Sequence, residues 1–373
     1  MDCHHFGVCG GCSLPGVPYH EQLAGKQAQL HAWFPGVTLA PLVASPIESG
    51  FRHKVAFVFA PRTSGDRLVM GHYQAGSRRV VPVQECPVHS DLGNRLAFAL
   101  RDRLAASRVP PGVLRHVLVR TTDNSREAVM MLVVAANHTA LRAPVRAFLA
   151  SAEAPGGFFL NIHERPDAYM VGPTTIRLAG RSHVREEMLG TAFLISPTAF
   201  FQTNVQAARR LLRLVLDHAG DAGRVLDLYS GSGLLALPLA RNGARVLAVE
   251  ENRQAVKDAE ANLRLNHLRP EAVRFITARV EDALARAGRE QFDAIVLDPP
   301  RQGCPDAVID RVCTLAAPRI VYVSCNPERL SVEQRRFQEH GYRLTQLQGV
   351  DMFPHTEHIE AVSLFTRQSA RPS

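Results

Sequence analysis

The sequence predicts an α/β protein: a doubly wound parallel sheet in the C-terminal half, preceded by an α+β region. Three observations carry that prediction. From Arg224 onward, short β-branched runs alternate with amphipathic stretches, the strand–helix–strand order that builds a parallel sheet covered on both faces. Within that order, Val225-Leu-Asp227-Leu-Tyr229-Ser-Gly231-Ser-Gly233 reads as a strand feeding a glycine loop that opens a helix, a geometry that lets a nucleotide approach backbone amides. Finally, Ile320 to Ser324 is an apolar run that stops at Cys325 and is broken by Asn326-Pro327. Proline bars the strand from continuing and biases Asn326 away from helix. The thiol is therefore expected at a turn beyond the carboxyl end of an interior strand, where ligands sit in open α/β sheets.

The elements follow in chain order. The opening run Cys3-His4-His5-Phe-Gly-Val-Cys9-Gly-Gly-Cys12 is too polar and glycine-rich for helix or strand and reads as a loop wrapped round something. Cys86, followed by Pro87 at a turn, is the candidate fourth thiol. Four thiolates suit zinc or an iron–sulfur cluster, and the spacing leaves that choice open. His4 and His5 add zinc-compatible alternatives. Tyr19 to Trp33 has helical spacing, and Phe51 to Phe59 alternates as a strand whose polar positions, Arg52 and Lys54, are basic. Those cations face either phosphate or plain solvent. Further strands are expected at 69–73, 115–121, 129–135, 158–163 and 175–178, with helices at 92–107 and 140–151, which makes the first region α+β.

The polar joint Ile195-Ser-Pro197-Thr-Ala-Phe-Phe201-Gln202-Thr-Asn204 places a boundary between domains 1–195 and 196–373. A helix is expected over 205–219. Strands follow at 225–228, 245–249, 273–277, 292–297, 320–324, 343–350 and 358–365, with helices at 234–242 and 252–266.

Composition bounds the function classes. The chain has 373 residues and a formal charge of +8. Arginine supplies nearly all of the cations, since the lysines are only Lys26, Lys54 and Lys257. Arginine suits bidentate phosphate contacts, so a polyanion partner is expected, although a GC-rich genome produces the same bias. Seven cysteines, an odd number in a chain of this size, argue against a disulfide framework and for reduced thiols used in metal binding or catalysis. No signal segment or membrane-length apolar run is evident, so a cytoplasmic location is expected, with no membrane association and no obligate protein partner.

Several residues point to chemistry. Glu250 ends the second strand of the alternating region, placed to accept from ribose hydroxyls. Gly231-x-Gly233-x-x-Ala236 also fits the dinucleotide fingerprint, so a nicotinamide oxidoreductase is an alternative. S-adenosylmethionine is favoured because Asp227 supplies a carboxylate for a cationic aminoacyl group and because Asp298-Pro-Pro closes a strand. Arg301 follows where adenine amino-methylating enzymes normally place an aromatic residue; its donors suit a uracil carbonyl or a phosphate. The run Asp351-Met-Phe-Pro-His355-Thr-Glu-His358-Ile-Glu360 places Glu360 at a strand start near the cysteine, as a candidate base.

Phe201-Gln202-Thr-Asn204, the Asp227 glycine loop, Asp298-Pro-Pro-Arg301-x-Gly303, Ser324-Cys325-Asn326-Pro327 and Asp351 to Glu360 resemble, in order, the motifs of the RNA uracil-C5 methyltransferases. The resemblance implies a class I S-adenosylmethionine-dependent methyltransferase sheet with an N-terminal iron–sulfur and RNA-binding domain. It implies Cys325 as nucleophile, Glu360 as proton acceptor, and Gln202, Tyr229, Glu250 and Asp298 as contacts to S-adenosylmethionine. Cys3, Cys9, Cys12 and Cys86 resemble the [4Fe-4S] ligands of the 23S ribosomal RNA members. The chain begins at those cysteines with no room for an N-terminal barrel module, which resembles the shorter ribosomal branch acting on uridine 747. Tyr229-Ser230 stands where that family usually has Phe-Cys. The implied chemistry is thiolate addition at C6, methylation at C5 and proton loss to Glu360, with Arg301 and an electropositive pocket expected to favour the thiolate. A methylated uridine elsewhere in ribosomal or transfer RNA, and a non-catalytic iron–sulfur RNA-binding module, are the remaining alternatives. A cytosine-C5 enzyme would need a second cysteine, and Cys304 is not set in such a motif.

Overall fold

The computed structural model describes residues 1, 3–60, 68–110, 112–165, 170–286 and 290–368. After the cysteine-bearing loop comes α1 (Tyr19–Trp33). A first sheet is then assembled from β1 (Lys54–Ala60), β2 (Val69–Tyr73), β3 (Val80–Pro82), β4 (Leu114–Thr121), β5 (Ala128–Val134), β6 (Gly157–Ile162) and β7 (Thr174–Gly180), in the order β3-β2-β1-β4-β5-β6-β7. All neighbours are antiparallel except β5 and β6. β5 is buried along its whole length, as its sequence AVMMLVV requires. One face of this sheet is covered by α2 (Asp91–Ala105) and α3 (Arg142–Leu149), whose Leu96, Leu100, Val145 and Phe148 pack on Val55, Phe57 and Val117. Ser90 caps α2 by accepting from the Gly93 amide.

A ribbon not anticipated from sequence, β8 (Val184–Met188) and β9 (Thr191–Ile195), turns at Leu189-Gly190. It covers the other face of the first sheet together with α4 (Val205–Ala219), which Asn204 caps at 3.1 Å from the Ala207 amide.

The second sheet contains β10 (Arg224–Leu228), β11 (Arg245–Glu250), β12 (Val273–Thr277), β13 (Ala294–Leu297), β14 (Arg319–Ser324), β15 (Tyr342–Val350) and β16 (Glu360–Arg367), ordered β12-β11-β10-β13-β14-β16-β15. The five strands from β10 to β14 pair in parallel. The last two do not: β16 runs antiparallel to both β14 and β15. This corrects the all-parallel expectation. Residues 351–359 join β15 to β16 without a helix, and a short connection returns a strand antiparallel.

Alternate side chains of β10 point to opposite faces: Val225 packs with α4, α5 (Ala236–Arg241) and α6 (Arg253–Leu265), while Leu226 packs with α7 (Val280–Arg286), α8 (Asp306–Thr314) and α9 (Pro327–Glu339). Leu30 of α1 and Phe34 belong to this second core and not to that of the first sheet. One apolar cluster runs unbroken from Met131 and Phe159 of the first sheet, through Phe193 and Leu211, to Val296 and Val321 of the second. No helix among the described residues is long and apolar enough to cross a membrane.

Candidate active site

β10, β13 and β14 are adjacent in the second sheet, and β16 flanks β14, so their ends bring the motifs together. Ser324 pairs with Ala361 in the antiparallel register, which sets Cys325 opposite Glu360. Asn326 accepts from the Arg329 amide at 3.3 Å and Pro327 stands in the first turn of α9. The Asn-Pro that stops the strand thus starts a helix, a placement that suits a proline because its missing N–H has no partner to lose there. A cleft of about 760 Å³ opens above these ends, and it is lined by Gln202, Tyr229, Glu250, Asp298, Cys325 and Glu360. The six residues that the family resemblance implies as catalytic or cofactor-binding therefore share one cavity with Arg301, while Asp227 does not line it, and its size suits a nucleoside-sized ligand.

The glycine loop is held by Glu250, whose Oε2 accepts from the Gly231 amide at 2.9 Å and whose Oε1 accepts from the Asn252 amide at 2.8 Å. A carboxylate oxygen carries two lone pairs, so acceptance from a ribose hydroxyl stays open. Tyr229 adopts φ of 65° to enter the loop, a left-handed conformation uncommon for a bulky residue. Beneath the loop, Asp227 is fully buried and its carboxylate has no side-chain hydrogen-bond partner among the described residues, with only a weak approach from the Ala236 amide. Burial, reinforced by Asp298, holds its carboxyl well above the usual range. Buried carboxyls without partners fit a cationic ligand, since positive charge relieves the penalty of ionising them. A sulfonium with an α-ammonium group meets that condition.

The electrostatics of the groups expected to react differ from the sequence expectation. Burial, then Glu360 and Asp298, pushes the Cys325 thiol up to about 11, and Arg301 opposes this only weakly from the exposed rim. The anticipated electropositive pocket is absent among the described residues because two carboxyls converge on the thiol. Burial and Asp298 together push Glu360 up to about 8, and burial pushes Asp298 up to about 7. Near neutrality these groups share protons readily, which suits proton transfer.

A second constellation lies at the edge of the first sheet. Cys3, Cys9, Cys12 and Cys86 line a pocket of about 50 Å³ with Arg52, His72 and His89. All four thiols are free and half-buried. The loop is fastened by the Gly10 amide on the Tyr73 carbonyl at 2.9 Å. Nε of Arg52, Nε2 of His72 and Nδ1 of His89 are sealed from solvent without a hydrogen-bond partner among the described residues. Four thiols beside three orphaned nitrogens form a donor set that fits a sulfur-rich anionic group. His72, Cys86 and His89 offer ligand atoms within 4.8 Å of one another; His4 and His5, named from sequence, are not among them. His72 and His89 were not singled out by the sequence because they lie on elements far from the opening loop and carry no local motif.

Lys54 and Arg120 face each other across β1 and β4. Neither has a carboxylate partner among the described residues, and burial with Arg120 nearby pushes Lys54 down to about 8. The basic strand is thus not a simple solvated face. Phe200, 71% exposed, stands at the mouth of the cleft. Sequence reasoning passed over Glu333, which is buried and accepts from the Cys304 amide at 3.1 Å, the Tyr322 hydroxyl at 2.6 Å and Arg329 Nε at 2.9 Å. Its signal was only a position on the α9 face turned toward the Asp298 loop.

Comparison with known proteins follows the same lines. Residues 187–368 match the family described as tRNA (Uracil-5-)-methyltransferase. An RNA methyltransferase of Thermosynechococcus vestitus is 34% identical over 96% of this chain and 82% of its own length. One from Leptospira interrogans is 27% identical over 98% of both. Among solved structures, the Pyrococcus abyssi tRNA (uracil-54, C5)-methyltransferase in complex with S-adenosyl-L-homocysteine superposes with a TM-score of 0.83 and 25% identity, over 96% of this chain and 86% of that one.

Proposed function

The chain belongs to the RNA uracil-C5 methyltransferase family, and on that premise we propose that it methylates a uridine of 23S ribosomal RNA, of the uridine 747 type, using S-adenosylmethionine. The observation that carries the chemistry is the placement of Cys325 opposite Glu360 in one cleft with Gln202, Tyr229, Glu250 and Asp298. Cys325 loses its proton to solvent in the open cleft, and the thiolate sulfur adds to uracil C6, which makes C5 nucleophilic. C5 then takes the methyl group from the sulfonium. Glu360 accepts the proton displaced from C5, and the C–S bond breaks to restore the C5–C6 double bond and the free thiolate. Covalent catalysis of this kind divides one difficult step into easier ones. Because both carboxyls near the thiol raise its pKa, the cation of the methyl donor is the charge that favours thiolate formation once it is bound.

Gln202, Tyr229, Glu250 and Asp298 hold the donor in this reading, and Asp298 also faces the uracil. Residues 1–195 supply RNA binding and residues 196–373 methyl transfer, a division of labour and not of packing, since α1 lies on the second core. Cys3, Cys9, Cys12 and Cys86 would hold a [4Fe-4S] cluster, which supplies a sulfur-ligated iron centre able to act structurally or in one-electron chemistry. Lys54, half-buried and without a carboxylate partner among the described residues, supports a phosphate-rich partner. We place the reaction in the cytoplasm, on RNA that is not yet assembled.

The test is methyl transfer from labelled S-adenosylmethionine to naked 23S RNA, mature large subunits and transfer RNA, each lacking the modification. Labelling of naked 23S RNA above the other two is expected. Preferential labelling of transfer RNA would assign the chain the substrate class named for the Pyrococcus abyssi enzyme instead.

A further inference from the structure

The segment that follows the thiol pocket grips the loop that ends in Glu360. One residue past Cys12, the amides of Ser13 and Leu14 donate to the His355 carbonyl at 3.0 and 3.1 Å. The Ser13 hydroxyl accepts from the Glu357 amide at 3.0 Å. From α1, Gln22 accepts the His355 amide on Oε1 at 2.7 Å and sets Nε2 3.1 Å from the His355 ring Nδ1. A turn further on, Lys26 Nζ lies 2.6 Å from Asp351 Oδ1, with side chains 2% and 0% exposed. The Tyr19 hydroxyl donates to the other Asp351 oxygen at 2.9 Å. Every one of these contacts joins residues more than three hundred positions apart, and every one lands on 351–357.

That loop is under conformational demand. His355 adopts φ of 65°, a conformation an L-residue rarely takes unless its surroundings impose it, and its amide, carbonyl and ring are all engaged by partners outside the sheet. The strands themselves do not need this grip, because Val350 already pairs with Glu360 in register. What the grip adds is a fixed path for the nine residues between them, and hence a fixed approach of Glu360 to the cleft.

We propose that Ser13, Gln22 and Lys26 form a clamp that positions Glu360 for removal of the C5 proton, acting through the 351–357 loop. The inference rests on the reading of Glu360 as proton acceptor. A clamp of this kind governs adduct resolution and leaves thiol addition and methyl transfer alone, since Cys325 is held by β14 and α9.

The experiment uses the full chain, S-adenosylmethionine and RNA bearing tritium at uracil C5, and follows covalent protein–RNA adduct and tritium release separately. Gln22→Ala is expected to slow tritium release about ten- to a hundredfold, to accumulate adduct, and to leave the KM for RNA and for S-adenosylmethionine unchanged. Ser13 is exposed, so Ser13→Ala keeps the fold and is expected to show the same pattern more weakly, with Ser13→Thr restoring release. Equal slowing of adduct formation and release, or wild-type release in both variants, would overturn the clamp. Glu360→Gln, run in parallel, separates the two ideas. If it traps adduct while Gln22→Ala and Ser13→Ala do not, the clamp alone fails; if it traps none, the assignment of Glu360 itself fails.

Discussion

Cys325 sits among groups that oppose its ionisation, and this sets the pH behaviour of the reaction. Glu360 is pushed up to about 8 by burial first and Asp298 second, so at neutral pH it is largely protonated and the basic form grows as pH rises. We expect resolution of the methylated adduct to speed up about tenfold per pH unit below that value and to level off above it. Asp298→Asn removes a charge that disfavours ionised Glu360, so the rise should move to lower pH; a midpoint that stays in place would separate the two carboxyls. Cys325→Ala should bind RNA yet form no adduct. Glu360→Gln should form adduct and lose turnover by about 10²–10⁴-fold. Adduct formation by Cys325→Ala would remove the thiol from the reaction. The identities of these residues were legible because each ends or starts a short apolar run. Their protonation was not, because Asp298 and Glu360 are brought together by β13 and β16, which are separated in the sheet by β14 and in the sequence by all of residues 298–359.

At the scale of elements, the strand endings of the second sheet were readable from β-branched runs, while the hand of its last pair was not. Nothing in the composition of Glu360 to Arg367 states that β16 reverses; only the helix-free connection before it does. Helix starts were similarly half-legible: Asn326-Pro327 was visible as a break, and its capping of α9 emerges only with the Arg329 amide in place. α9 in turn fixes the Asp298 loop through Glu333. Gly303 has φ of 84°, and a Cβ there would lie 1.9 Å from Glu333 Oε1. Gly303→Ala should therefore cost about 2 kcal/mol from the left-handed backbone and the steric push combined, lower the melting temperature and raise the KM for S-adenosylmethionine. An unchanged melting temperature would show that Glu333 moves aside freely and does not brace the loop.

At the scale of the whole molecule, the thiol pocket ties three parts of the chain that sequence order keeps apart. The opening loop bridges to the first sheet at Cys9 and Gln74, Cys86 comes from the segment after β3, and Ser13 reaches the second sheet at His355. Sequence spacing found the four cysteines but left their ligand open, because C-x5-C-x2-C with a distant fourth thiol serves more than one metal. The orphaned nitrogens of Arg52, His72 and His89 border the same pocket, and hydrogen bonds to cluster sulfur are among the interactions that tune the centre proposed above. Anaerobically purified protein should thus contain about four iron and four sulfide per chain. Cys86→Ala should lose them, with faster hydrogen exchange in residues 1–12 and 74–89. The second sheet packs on one core shared with the first sheet and one on its other face, and none of the four thiols belongs to either, so exchange in β10 to β14 and binding of S-adenosylmethionine should be retained. Zinc without iron in the purified protein would contradict the cluster, and faster exchange reaching β10 to β14 would mean that the pocket holds the methyltransferase sheet as well as the first.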